Sequence, residues 1–191
     1  MRLGPNWKIF LAAIAVGLAL VVGAFGWLRF GSAAAPTATP VPVHPLAADI
    51  RISEQVRPTS MSWLSANGYA TVIDMRPDGE ASDEPNSTEM RAAAQASGLR
   101  FAYVPVPHGD IPESAVKALK QALTESRGPV LLYCRSGRRA ARTWSLVEAS
   151  RPDGLDAGAI LASVQAAGQS AQDLKAEIER RIALRTAGAA K

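Results

Sequence analysis

Residues 129–133 read PVLLY, a proline followed by four apolar or aromatic side chains with no polar face. A strand of that kind cannot turn one side to water, so other elements must cover both of its faces. The neighbouring sequence offers that cover. Helical patterns lie before it at 111–128, with Pro112 in the first turn, and after it at 138–150. Further strands are expected at 69–75 (YATVIDM) and 99–106 (LRFAYVPV), and DIRISEQV at 49–56 suits an edge strand. TSMSWLSANG (59–68) reads as a short helix ended by Gly68. RPDGEASDEP (76–85) is a loop, and 86–98 is a helix opened by Asn86 with Glu89 three positions on and closed by Gly98. Two more helices are expected near 156–167 and 170–187; in the second, Leu174, Ile178 and Ile182 form a core or partner stripe. Strands separated by helices predict a three-layer α/β fold with a mainly parallel central sheet and helices on both faces.

The N-terminal part has another character. Ile9 to Leu28 is a run of twenty residues without a charge, long enough to cross the hydrocarbon core of a bilayer. Trp7 and Trp27 stand near its ends, Arg2 and Lys8 precede it, and only Arg29 follows before Asp49. The positive-inside rule then predicts a single-pass anchor in the inner membrane, with the N-terminus cytoplasmic and the rest periplasmic. A cleaved signal peptide competes, with SAAAP as its small-residue site; a buried core helix is the weaker alternative. Residues 31–47 follow as a linker rich in proline and alanine, expected to run extended. The expected organisation is an anchor (1–30), the linker, one domain (48–187) and a disordered tail (188–191). The net charge of +4 falls to about +1 without Arg2, Lys8 and Arg29, and no basic stripe is interleaved with aromatics, so nucleic acid is not an expected partner. One cysteine excludes an internal disulfide, and His44 and His108 lie far apart, so neither a metal nor another cofactor is expected.

Cys134 ends the apolar strand and opens a loop into the next helix, the point in a parallel sheet where ligands collect. A loop entering a helix N-terminus turns several backbone N–H groups inward and forms an anion cradle that also favours a thiolate. Gly137 would let the loop take a left-handed conformation, and Arg138 or Arg139 could grip an oxyanion in bidentate fashion. The alternative is an inert buried cysteine, a small hydrophobe at a strand end. Cys134 is therefore the expected nucleophile, and Arg135, Ser136, Gly137 and Arg138 are expected to contact an anionic substrate. Arg135 could equally be solvated, and Arg142 is expected at the surface. Asp74 and Arg76 end a central strand; Arg76 could help to hold an anion, or the two could be a structural ion pair bracing the loops.

YCRSGRRAARTW resembles the CRSGTRS loop of bacterial proteins with the beta-lactamase hydrolase-like, phosphatase-like domain. TVIDMRPDGE resembles the TVINNRPDGE segment of that family, and GLRFAYVPVPHGDIPESAVKAL resembles its strand–loop–helix passage before the active strand. The likeness runs over about residues 50–185. It implies a fold like the dual-specificity protein phosphatases and hydrolysis of a phosphate monoester; some members are called sulfurtransferases. It makes Cys134 the nucleophile and Arg139 the anion-binding arginine. Asp110 is placed like the general acid, although Asp110 and Glu113 could instead cap the helix that follows. His108 is a second acid or a cleft-lining residue. The sequence also departs from the pattern. Cysteine phosphatases place arginine six positions after cysteine, whereas Arg139 is five after Cys134, the spacing of a rhodanese persulfide loop. Arg138 replaces the family threonine, Ala140 replaces a serine that would help to expel the thiolate, and Tyr133 stands where classical members carry histidine. Thr143, one turn on, is the nearest substitute hydroxyl. A persulfide sulfurtransferase and a degenerate module that binds an anion without turnover therefore stand as alternatives.

Overall fold

The computed structural model describes residues 38–189. The expected anchor, the first part of the linker and the last two residues lie outside them. Among the described residues no helix is long and apolar enough to cross a membrane.

Five strands form one mixed sheet. They are β1 (His44–Ala47), β2 (Ile50–Ser53), β3 (Thr71–Asp74), β4 (Arg100–Tyr103) and β5 (Val130–Tyr133), in the spatial order β1-β2-β5-β3-β4. β2, β5, β3 and β4 run parallel, and β1 pairs antiparallel with β2. The expected parallel core is present, with one antiparallel edge.

The first strand corrects the linker reading. His44–Ala47 belong to the sheet and Val41 is buried against it, so the folded part starts upstream of residue 48. Pro45 disguised the strand; a residue without an N–H is tolerated there because β1 is an edge. The edge role expected for 49–56 passes to β1, and β2 becomes an inner strand.

The apolar strand lies at the centre. Val130 and Leu132 join a core cluster with Ile52, Ile73, Leu119, Trp144, Ile160 and Ile178, whereas Leu131 and Tyr133 join Met61, Leu64, Val72 and Met90 in a second cluster. Alternation along the strand sends successive side chains to opposite faces, so each face has its own core. The helices are α1 (Met61–Ala66), α2 (Ser87–Ala96), α3 (Glu113–Thr124), α4 (Arg138–Ser150), α5 (Ala157–Ala166) and α6 (Lys175–Ala189). The residues in the clusters assign α1 and α2 to the Leu131 face and α3 to α6 to the Leu132 face.

Local signals explain the boundaries. Asn86 accepts from the N–H groups of Thr88 and Glu89 at 3.0 Å, and the Glu89 carboxylate accepts from the Asn86 N–H, which fixes the start of α2. Pro112 is the cap of α3 and not part of its first turn. At the other end α6 continues to Ala189, so the tail expected from residue 188 begins within a helix.

Candidate active site

The parallel strands deliver their carboxyl ends to one edge of the sheet. Cys134 follows β5, Arg76 lies two residues past β3, and the loop carrying His108 and Asp110 follows β4. β5 sits between β2 and β3, so the cysteine loop emerges at the middle of that edge.

The loop has a definite polarity. The carbonyls of Tyr133, Arg135 and Gly137 accept from the N–H groups of Met75 at 2.8 Å, Gln55 at 3.3 Å and Ala141 at 3.0 Å. The Ser136 carbonyl accepts from Nε2 of Gln169 at 2.9 Å. By contrast, the N–H groups of residues 135–140 donate to no acceptor among the described residues. In a trans peptide the C=O and the following N–H point opposite ways. Carbonyls tied outward therefore turn donors inward, which is an arrangement for an oxyanion. Gly137, with φ of 79°, caps α4 in the left-handed conformation.

Cys134 is 1% exposed, whereas Arg135, Ser136 and Arg138 are exposed. The sulfur is thus withdrawn from water and packs among apolar core residues, as the inert-cysteine alternative expects, with the Arg139 guanidinium beside it. Arg139 is also buried, and its Nη1 donates to Oε1 of Glu80 at 2.5 Å and to the Val106 carbonyl at 2.7 Å, while Nη2 donates to Oε2 of Glu80 at 2.7 Å. Burial works against the charged guanidinium. Bonding to Glu80, the charge of its carboxylate and the adjacent Cys134 outweigh it and hold the Arg139 pKa above the usual arginine value. An arginine offers five N–H donors in a planar fork. The three bonds leave Nε–H and one Nη2–H, adjacent on one edge, as a bidentate pair for a ligand.

Glu80 is the hub that the sequence reading did not single out. Besides Arg139 it accepts from Nε of Arg76 at 2.9 Å and lies 3.5 Å from Nε2 of His108. The hydrogen bond from Arg139 leads the effects that hold its carboxyl below the usual range. Arg76 is 5% exposed and is surrounded by Glu80, Glu84 and Gln55, whose Oε1 lies 3.0 Å from Nη1. Its guanidinium therefore braces loops rather than facing a ligand, which is the structural ion-pair alternative; the pairing is with Glu80 and Glu84, while Asp74 accepts the Arg76 backbone N–H at 2.9 Å. Burial pushes the Asp74 carboxyl up to about 6, against the pull of that N–H.

His108 is 70% exposed at the rim, and Asp110 is exposed in the same loop. Pro112 caps α3 without a side-chain bond and Glu113 pairs with Arg181, so the capping alternative for Asp110 and Glu113 is not realised. Thr143 does not supply the missing hydroxyl, because it is fully buried and donates to the Arg139 carbonyl at 2.8 Å. Arg142 is not at the surface; its side chain is 13% exposed and pairs with Asp173. Tyr133 turns to the opposite face of the sheet, where its buried hydroxyl lies beside Asp74.

Comparison with known proteins agrees with this architecture. The model of the family described as beta-lactamase hydrolase-like protein, phosphatase-like domain, matches residues 43–150. A beta-lactamase hydrolase-like protein of Agrobacterium fabrum is 38% identical over 86 residues, 45% of this chain and 20% of that protein. One of Xylella fastidiosa is 34% identical over 99 residues, 52% of this chain and 23% of the relative. The matched part is thus about a fifth of the length of these relatives. Among solved structures, a candidate phosphatase from Neisseria meningitidis superposes with a TM-score of 0.63 at 26% identity, covering 72% of this chain and 96% of that one. Kinase associated phosphatase, solved with serine in place of its catalytic-site cysteine, gives 0.61 at 15% identity over 76% and 97% of the two chains. The core catalytic domain of an S. cerevisiae PP-IP phosphatase, in complex with citrate, gives 0.55 at 17% over 75% and 87%. The last two likenesses are of fold alone.

Proposed function

Because the chain belongs to the beta-lactamase hydrolase-like protein, phosphatase-like domain family through residues 43–150, we propose that it is a cysteine-dependent phosphatase-like hydrolase acting on a phosphate monoester. The observation that carries this reading is the polarity of the cysteine loop, whose carbonyls are tied outward while the N–H groups of residues 135–140 have no acceptor among the described residues. Such a ring serves a tetrahedral oxyanion and, before substrate arrives, a thiolate.

In the proposed reaction the phosphate oxygens take the loop N–H groups and the free edge of Arg139. The Cys134 thiolate forms a bond to phosphorus as the bond from phosphorus to the leaving oxygen breaks. Asp110 gives its proton to that oxygen. Water then attacks the phosphocysteine, Asp110 takes the proton, and thiolate and inorganic phosphate separate. Arg135, Arg138 and His108 line the approach. The charge-free run at 9–28 supports a membrane-anchored form with its site on the periplasmic side. Turnover of an aryl phosphate between pH 5 and 8, lost in Cys134→Ser, is the expected result; wild-type turnover no higher than that of the variant would refute the reading.

The five-position spacing from Cys134 to Arg139 favours sulfur transfer as a second reading. It predicts that treatment with thiosulfate adds one sulfur to the protein mass and that cyanide removes it. Absence of that gain excludes it.

A further inference from the structure

We infer that Gln169 is a positioning residue of the oxyanion site, and that the segment carrying it, C-terminal to the residues matched by the family model, completes the cysteine loop. The inference rests on the anion-site reading above.

Among the described residues the carbonyls of Arg135 and Gly137 are held by backbone N–H groups, and the Ser136 carbonyl alone is held by a side chain, Nε2 of Gln169. The peptide it controls joins Ser136 to Gly137. Its C=O points at Gln169, so the Gly137 N–H points the other way, into the loop. This is also the peptide that resists reorientation least. Gly137 sits at φ of 79° and has no Cβ to oppose a rotation of the plane before it. Were the plane to turn over, a carbonyl oxygen would replace a donor in front of the anion. The site would lose one attraction and gain one repulsion.

The sequence around Gln169 holds it in position. α5 ends at Ala166, Gly168 turns the chain with φ of 76°, and the Gln169 N–H donates to the Val164 carbonyl at 3.0 Å. Val164 is fully buried, so the turn is fixed to the core. Gln169 Nε2 also lies 3.4 Å from where a Cβ at Gly137 would stand, which keeps the contact close on both sides of the peptide. The family match ends at residue 150, and Gln169 is supplied from outside it.

The test uses the full-length chain and orthovanadate as the probe anion. Gln169→Glu keeps the size but cannot donate to a carbonyl, whereas Gln169→Lys restores a donor. The expected result is vanadate binding weakened about tenfold or more in Gln169→Glu, recovered in large part by Gln169→Lys, with KM for p-nitrophenyl phosphate moving in parallel. Binding in Gln169→Glu as tight as wild type overturns the inference and leaves the anion site standing. Failure of the wild-type chain to bind vanadate overturns both. Should Gln169→Glu not fold, the wild-type Gly137 amide decides: a shift on vanadate addition supports the inference, and a silent Gly137 among shifting neighbours overturns it.

Discussion

Glu80 bonds to two arginines that are almost wholly withdrawn from water, Arg76 at 5% and Arg139 at 8% exposure. A buried guanidinium without its carboxylate costs more than the pair contributes, because the remaining charge cannot be resolvated. Glu80→Gln is therefore expected to lower stability by about 3 kcal/mol in urea denaturation. It is also expected to reduce kcat/KM for an aryl phosphate at least tenfold, since Arg139 loses the anchor that aims its free edge. A variant with wild-type stability and turnover would show that Arg139 needs no such anchor. Asp74 obeys the opposite sign. Its carboxyl is raised to about 6 by burial, so the native state binds the proton more tightly than the unfolded chain does. The stabilisation from that proton is complete below the ordinary aspartate value near 4 and fades as pH rises through 6. From pH 4 to pH 7 Asp74→Asn should gain on wild type by about 2 kcal/mol. A difference between the two proteins that does not change with pH would refute this. Cys134, Gly137 and Arg139 were legible because their relation is local, one loop between a strand and a helix. Gln169 was not, because it reaches that loop across 33 positions and belongs to no local pattern; Glu80 closes the family-like segment TVIDMRPDGE, but its role arises only from contact with Arg139 across 59 positions.

At the scale of elements, the strong periodic signals translated directly. A helix over 138–150 and a strand in 129–133 followed from apolar patterning and a glycine at the junction, and both are present. β1 escaped because an edge strand with proline reads as a tether, and its pairing partner β2 decides its state. The C-terminal pattern identified α6 but not what its polar face does. Arg185 reaches from α6 to the end of α4. Its Nη1 donates to the carbonyls of Glu148 at 3.0 Å and Arg151 at 3.1 Å, and its Nη2 to those of Gly154 and Leu155 at 2.7 Å. The Glu148 carbonyl lies in the last turn of α4, where the helix has run out of i→i−4 donors. Arg185→Ala should lower stability by about 1–3 kcal/mol. It should leave turnover per folded molecule unaltered, because its contacts lie at the end of α4 opposite to the cysteine loop. A urea midpoint equal to wild type would mean that water replaces all of these donors.

For the whole molecule, the residues matched by the family model and the cooperative unit are not the same. The match ends at residue 150, yet Ile160, Val164 and Ile178 are fully buried in the core that holds Ile52, Leu132 and Trp144. Each such side chain contributes about 1.5–3 kcal/mol by burial, and a domain has only about 5–15 kcal/mol in total. Removing α5 and α6 would also expose the apolar residues they cover and release the Arg181 bonds to Glu113 at the start of α3 and to Ser150 at the end of α4. A chain ended at residue 150 is thus expected to keep much of its strand and helix content while losing fixed side-chain packing. Its near-ultraviolet circular dichroism should collapse, and it should bind an apolar dye that the full chain does not. Cooperative thermal unfolding of that shortened chain, with native near-ultraviolet signal, would separate the C-terminal helices from the core. The same measurement bears on the site, because Gln169 and the helices that fix it are removed together, and a packed but truncated domain would then be the means to ask what the cysteine loop does without them.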